Sequence, residues 1–283
     1  MINGALVLEG GALRSVYAAG VLDIFLENDI KFEYVLGVSA GALNAGNYIS
    51  GQIGRSAKVN IDYVDDPRYI GIKHLLREGS IFNFDFLFGE PTKEWMPYDE
   101  DAFKNSKQRY IIGATNCVTG RQDFFERKEY PELVKVLTAS STLPILSKTA
   151  YIDGVPYIDG GVANAIPFAK AIKDGYRKIV IVLTRSDGYE SRENELFNMV
   201  LRTYYHKYPQ LVKKLCTMSK RYNLLLRQIK ELESQNKIFV IRPITSLKVK
   251  RIEQNKEKLR LLYLEGKEDA RRRLPDMIDY IKR

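Results

Sequence analysis

The chain encodes an α/β fold built on a mostly parallel sheet, and three features of the sequence predict it. Short apolar runs alternate with helix-length stretches through the first half, glycine-bearing turns fall where strands hand over to helices, and β-branched runs recur far downstream. Ala5-Leu-Val-Leu8 reads as a short buried strand. Leu13 to Glu27 then sets Val16, Tyr17, Val21, Leu22 and Phe25 at helical spacing. Tyr34-Val-Leu-Gly-Val38 is a second strand, and Ala40 to Tyr48 a small-residue helix. Further strands are expected at Tyr110 to Thr115, Lys178 to Thr184 and Lys237 to Ile241, the last two central in character. Residues 50–105 are less regular. Phe82, Phe84, Phe86 and Phe88 alternate as in a strand, but Gly79, Gly89, Pro91 and Pro97 interrupt them. Ile81 to Trp95 therefore reads as an apolar loop over an active site or as a packed insertion. From residue 190 helices dominate, at Glu193 to His206, Pro209 to Glu233, Arg251 to Leu264 and Gly266 to Ile281, with Pro209 placed to open a helix. One domain with a helical C-terminal part is the organisation this predicts.

Composition narrows the functional classes. The 283 residues are 45% hydrophobic and 28% charged, which excludes a disordered or low-complexity chain. Two cysteines, Cys117 and Cys216, are too few for a disulfide framework. Two histidines, His74 and His206, leave little room for a histidine-based metal site, so no metal or organic cofactor is expected. Apolar runs such as Ile179 to Leu183 fall far short of the ~20 residues that span a bilayer. Met1-Ile-Asn-Gly4 runs straight into a strand without a secretory pattern, which predicts a cytoplasmic protein. Net charge is +9 and unevenly placed, since residues 201–283 hold 22 basic and 9 acidic side chains. That imbalance fits either an anionic partner or a solvated helical face.

Three segments carry candidate chemistry. Gly37-Val38-Ser39-Ala40-Gly41 lies between a strand and a helix, the context of a nucleophile elbow, where a tight turn projects the serine hydroxyl from the sheet. Amides at the following helix start favour a developing oxyanion; the alternative is a small-residue helix start selected for packing. Glu9-Gly10-Gly11-Ala12-Leu13-Arg14-Ser15 occupies the preceding strand-to-helix turn. Ala12 and Ser15 stand where a dinucleotide loop wants glycine, and no Gly-Lys-Ser/Thr follows. An oxyanion hole serving Ser39 suits the segment better, because consecutive parallel strands deliver both turns to one sheet edge. Serine also needs a base. The order Ser39, Asp159, His206 matches an α/β-hydrolase triad, but His206 and His74 both sit in helical, basic surroundings typical of surface histidines. Asp153 and Asp159, each followed by glycine, offer a carboxylate base directly, or else simple turns.

Taken together, these segments resemble the bacterial patatin-like phospholipase family. The glycine-rich loop at Gly10 to Ser15, Gly-x-Ser-x-Gly at Gly37 to Gly41 and Asp159-Gly160-Gly161 follow that family's order. Gly20-Val-Leu22 and Ala139-Ser-Ser-Thr-Leu-Pro144 fit the same pattern, and the likeness covers roughly residues 5–170. The resemblance implies a three-layer α/β/α sandwich with a mostly parallel central sheet. Residues 5–170 would form the catalytic core, and 171–283 the sheet-completing strands and basic helical region. It further implies Ser39 as nucleophile, Asp159 rather than Asp153 as its base, an oxyanion hole at Gly10, Gly11 and Ala12, and Arg14 as a loop or lipid-phosphate contact. Ala12 and Ser15 depart from the family's glycines. Alanine keeps its N–H and is unstrained there only if its φ is negative. The expected activity is hydrolysis of a lipid ester or phospholipid, with peripheral contact to an anionic membrane surface. The rival readings are a weak or inactive lipid- or anion-binding module and, with no DNA-reading motif to support it, a nucleic-acid binder.

Overall fold

A computed structural model describes residues 1–89, 94–129, 132–245 and 248–283. Strand β1 (Ile2–Leu8) leads through a short 3-10 turn (Ala12–Ser15) into α1 (Val16–Glu27). β2 (Phe32–Val38) follows, then α2 (Ala40–Ile49), α3 (Arg55–Asp62), α4 (Ile72–Glu78), α5 (Phe84–Phe88) and α6 (Glu100–Asn105). Next come β3 (Arg109–Asn116), β4 (Gln122–Glu126), α7 (Leu133–Ser140) and the hairpin β5 (Ala150–Ile152) and β6 (Val155–Ile158). α8 (Gly161–Asn164), α9 (Phe168–Lys173) and β7 (Ile179–Val182) complete the core. Then follow α10 (Glu195–Tyr204), α11 (Pro209–Cys216), α12 (Met218–Ser234), β8 (Phe239–Ile241) and α13 (Lys256–Lys282).

The strands form one sheet in the order β5-β6-β3-β2-β1-β7-β8, with β4 also paired to β3. From β3 to β8 every neighbour is parallel, while β4, β5 and β6 run antiparallel. Alternation along β1 fixes the two faces. Leu6 and Leu8 enter the core under α1 and α2, while Ala5 and Val7 pack with Phe168, Tyr176 and Ile229 on the opposite side. The result is an α/β/α sandwich with a mostly parallel centre.

Several elements differ from the expectation. β8 is the terminal strand of the described sheet, not a central one; α13 covers it, with Phe239 against the Tyr280 ring, so its composition reads as interior. The span Pro209 to Glu233 divides at Thr217 into α11 and α12. The two last predicted helices are one, because Gly266, expected to open the second, lies inside α13. Within the phenylalanine-rich segment Phe84–Phe88 forms a helix, with Phe86 buried against Tyr63 and Tyr69. Pro91, which was expected to break that segment, lies outside the described residues.

Gly266 serves helix contact. A Cβ there would stand 2.1 Å from the Tyr17 carbonyl oxygen, and one at Gly20 would stand 2.2 Å from that of Tyr263. The missing side chains let α1 and α13 touch backbone to backbone. Gly266→Ala gains ~1 kcal/mol of helix propensity but forces the helices apart, a cost of ~1–3 kcal/mol or more. The expected outcome is a net loss of at least ~1 kcal/mol in urea unfolding, with Glu268→Ala on the exposed face within ~0.5 kcal/mol of wild type.

Candidate active site

β1 and β2 pair in register from Ala5↔Tyr34 to Leu8↔Gly37, so the turns that follow them emerge side by side at the carboxyl edge of the sheet. Ser39 makes the second turn at φ +55°, ψ −131°. That backbone is strained for a side-chain-bearing residue and persists only where its surroundings enforce it. Here they do. A Cβ at Gly41 would meet the Leu8 and Glu9 carbonyl oxygens at 2.6 Å, and one at Gly37 would meet Ala42 backbone at 2.6 Å. The Ser39 N–H is also fixed, donating to Ser140 Oγ at 2.8 Å, while Ser140 Oγ donates to the Gly113 carbonyl at 2.7 Å.

Asp159 arrives from the other direction. β6 runs antiparallel to β3, pairing Ile158 with Thr115, and so descends onto the same edge. The main chain of Asp159 is held at both ends: its N–H donates to Thr142 O at 2.8 Å and its carbonyl accepts from Thr115 Oγ1 at 2.8 Å. Ser39 Oγ donates to Asp159 Oδ2 at 2.6 Å, and Gly161 N–H donates to Oδ1 at 2.7 Å. Both side chains are buried. Burial pushes the Asp159 carboxyl above the usual carboxylate range; the hydrogen bonds from Ser39 and Gly161 and the field of Arg251 oppose that shift without cancelling it.

The glycine loop borders the serine. Gly10 N–H donates to Ala165 O at a long 3.4 Å, while the amides of Gly11 and Ala12 have no protein acceptor among the described residues. Ala12 adopts φ +50°, the strained case. The Ser15 hydroxyl donates to the Ala12 carbonyl, so this departure from glycine braces the turn. Arg14 is 8% exposed, and its Nε has no partner among the described residues. Burial, and then the charges of Arg185 and Arg251, bring its pKa down to about 10.

Ser39, Asp159, Gly11, Ala12 and Arg14 line one cavity of about 350 Å³. The C-terminal half supplies its far wall, including Phe197, Leu215, Tyr222 and Arg251. Tyr222 donates to Glu9 Oε1 at 2.6 Å, and Thr184 Oγ1 donates to Glu9 Oε2 at 3.0 Å. Ser39 also faces an apolar neck of about 30 Å³ between Leu43, Phe82, Phe84, Leu87 and Leu143. The neck shares Leu43, Tyr69 and Leu87 with a chamber of about 1050 Å³. The phenylalanine-rich insertion thus both packs and reaches the serine.

Other candidates lie elsewhere. Asp153 sits at φ +50° in the exposed β5–β6 turn, an Asp-Gly hairpin. His74 borders a separate cavity, and His206 is exposed with Nδ1 2.9 Å from Thr203 O. Neither histidine lines the Ser39 cavity. Among the described residues no cluster of His, Cys, Asp and Glu is arranged to hold a metal, and no helix is long and apolar enough to cross a membrane. Sequence reasoning passed over Ser140, Arg185, Tyr222 and Arg251. Only Ser140 carries a local signal, inside Ala139 to Pro144.

The site is thus a buried serine at a strand-to-helix turn, hydrogen-bonded to a carboxylate, beside amides with no protein acceptor among the described residues. Comparison with known proteins gives the family. A family model described as patatin-like phospholipase matches residues 6–172, and the chain belongs to that family. A second model, a domain of unknown function (DUF6363), matches residues 208–282. The uncharacterized protein YjjU of Escherichia coli (strain K12) is 31% identical over 186 residues, covering 64% of this chain and 51% of that protein. A probable lipid hydrolase, 463L, of Invertebrate iridescent virus 6 is 25% identical over 182 residues, covering 59% of this chain and 63% of that protein. Among solved structures, VipD from Legionella pneumophila aligns over 98% of this chain and 67% of its own, with a TM-score of 0.48 and 12% identity.

The raised Asp159 pKa has a consequence for stability. The folded chain binds this proton more tightly than the unfolded chain, so the contribution is present below the ordinary carboxylate pKa and is lost as pH rises through the folded value. At neutral pH the ionised carboxylate therefore costs stability. Asp159→Asn is expected to unfold at a higher urea concentration than wild type at pH 7, with the difference shrinking toward acid pH.

Proposed function

We propose that the protein is a lipid acyl hydrolase that cleaves carboxylic esters through a Ser39–Asp159 dyad. The observation that carries this reading is the buried 2.6 Å hydrogen bond from Ser39 Oγ to Asp159 Oδ2 in a cavity bordered by unpaired amides. Asp159 takes the hydroxyl proton as Ser39 Oγ attacks the ester carbonyl. The Gly11 and Ala12 amides, with Gly10 shaping the loop, donate to the oxyanion as it forms. Collapse expels the alcohol, which leaves with the proton from Asp159. Water then gives a proton to Asp159 and attacks the acyl-enzyme, and the serine is restored as the acid departs. The raised pKa suits this base, because proton affinity must be high enough to draw on a hydroxyl.

The two cavities support a polarity for the substrate. The apolar side at Leu43, Phe82, Phe84 and Leu143 suits an acyl chain once its narrow gap widens, and the arginine-lined side suits an anionic headgroup. Arg14 is buried, its Nε has no partner among the described residues, and the charges of Arg185 and Arg251 outweigh that of Glu9, so an added anion is favoured there. Arg14 with Arg185 and Arg251 supports a phosphate-bearing lipid ester, met at the membrane surface by a peripherally bound protein. The strain at Ala12 favours a second reading, a catalytically weak lipid- or anion-binding module. Absence of fluorophosphonate labelling at Ser39 with lipid binding intact selects that alternative.

Ser39→Ala is expected to abolish labelling and to lower p-nitrophenyl butyrate hydrolysis at least ~10³-fold; equal rates in variant and wild type exclude the dyad. Wild-type kcat/KM is expected to fall with acid through a single ionisation above the ordinary carboxylate value, because only ionised Asp159 accepts the proton. Arg251→Ala is expected to raise KM for an anionic lysophospholipid about fivefold, ~1 kcal/mol for a solvent-exposed charge. The effect on the uncharged ester should be smaller.

A further inference from the structure

Helix α10 is turned inside out for a water-soluble chain. Within Glu195–Tyr204 the buried residues are Asn198 and Leu201, one of them polar. Leu196, Met199, Val200 and Tyr204 are 78%, 59%, 51% and 56% exposed. Their spacing of three, four and eight residues from Leu196 places them in one stripe along the helix. Phe197, 47% exposed, stands at the edge of the same helix and also lines the Ser39 cavity. A contiguous run of large apolar side chains facing water is uncommon on a monomer and marks a surface that is covered in use.

The helix does not depend on that face for its structure. Asn194 caps it, accepting from Phe197 N–H at 3.0 Å. Leu201 anchors it in a cluster with Tyr205, Leu211 and Leu215. The stripe is therefore held out rather than left out by poor packing.

We propose that α10 is a membrane-docking element that inserts its Leu196, Met199 and Val200 edge into the interface of an anionic bilayer and presents the mouth of the Ser39 cavity to lipid. Charge selects this occupant. Residues 192–214 carry five basic side chains (Arg192, Arg202, Lys207, Lys213, Lys214) against two acidic ones. The acids are already engaged: Glu193 lies 3.5 Å from Lys220, and Glu195 lies 3.7 Å from Arg202. An apolar stripe in a basic surround is the pattern of a helix lying in the plane of a membrane surface, its apolar face sunk ~5–10 Å below the headgroups. Phe197 borders the stripe and lines the cavity, so a docked helix brings that wall of the cavity to the lipid surface.

This inference builds on the proposed lipid substrate, but its test does not need turnover. Full-length protein is sedimented with vesicles of phosphatidylcholine alone and of phosphatidylcholine mixed with phosphatidylglycerol. Wild type is expected to bind both and to favour the anionic vesicles, and Ser39→Ala to bind identically. The triple variant Leu196→Ser, Met199→Ser, Val200→Ser is expected to lose at least about tenfold in partitioning, ~1.4 kcal/mol. Its thermal midpoint should not drop, and it should still hydrolyse p-nitrophenyl butyrate at the wild-type rate. Because Leu196 is the most exposed of the three, Leu196→Ser alone serves as the second variant and is expected to show a partial loss. The proposal is overturned if wild type does not bind vesicles, if the triple variant binds as wild type does, or if wild type is a dimer that the triple variant splits. In that last case a second copy of the chain covers the stripe. Loss of esterase activity in wild type with vesicle binding retained would count against the hydrolase and leave the docking element standing.

Discussion

Ser39 and Asp159 meet across 120 residues of chain at 2.6 Å, and most of the architecture serves to make that distance possible. Four strand ends have to converge. β1 and β2 deliver the glycine loop and the serine because they are parallel and in register. β3 supplies Gly113 and Thr115, which fix Ser140 and Asp159. The hairpin β5–β6 then reverses direction so that its last residue drops onto the same edge. An all-parallel sheet would bring Asp159 up from within its own strand. The antiparallel approach brings it from above, where its carboxylate faces the serine hydroxyl rather than the next helix.

The C-terminal half belongs to the same unit of physics. β7 and β8 extend the sheet, and α13 lies against α1 through facing glycines. Closer to the serine, Tyr222 and Thr184 hold Glu9, the residue that begins the glycine loop, and the Arg251 carbonyl accepts from Leu13 N–H at 3.1 Å. The loop whose Gly11 and Ala12 amides have no protein acceptor among the described residues is thus clamped at both ends by residues from beyond position 180. Rigid clamping matters for an anion-binding loop, because donors already in place cost no reorganisation when charge appears.

The sheet's centre, the first two helices and the loops bearing Ser39 and Gly10 to Arg14 were legible in the sequence, because each rests on local patterning, whereas Asp159 was set apart from Asp153 only by the family resemblance. Alternation, helical spacing and small residues at a strand-to-helix turn are short-range signals. What the sequence left hidden is tertiary. β4, β5 and β6 are short and lie at a mixed edge, so neither a long apolar run nor strict alternation announces them. Gly266 reads as a break between two helices, since its lack of a side chain is explained only by the backbone of α1, far away in sequence. The interior look of β8 comes from α13 lying over it. Tyr222 and Arg251 sit in unremarkable helical and loop sequence and acquire meaning only from what they face.

Where the molecule spends stability is itself informative. Ala12 and Ser39 hold left-handed backbone, Asp159 keeps a carboxylate out of water, Arg14 is buried beside two like charges, and α10 turns apolar side chains to solvent. Each is unfavourable for an isolated chain by ordinary rules of packing and solvation. Packing defects without function would scatter over the surface and core. Ala12, Ser39, Asp159 and Arg14 line a single cavity, and Phe197 of α10 lines it too. In the reaction proposed above, an oxyanion takes up the Ala12 amide, a headgroup phosphate offsets the charge of Arg14 and a transferred proton discharges Asp159. That convergence is the reason the proposed substrate is an ester with an apolar chain at one end and a negative charge at the other.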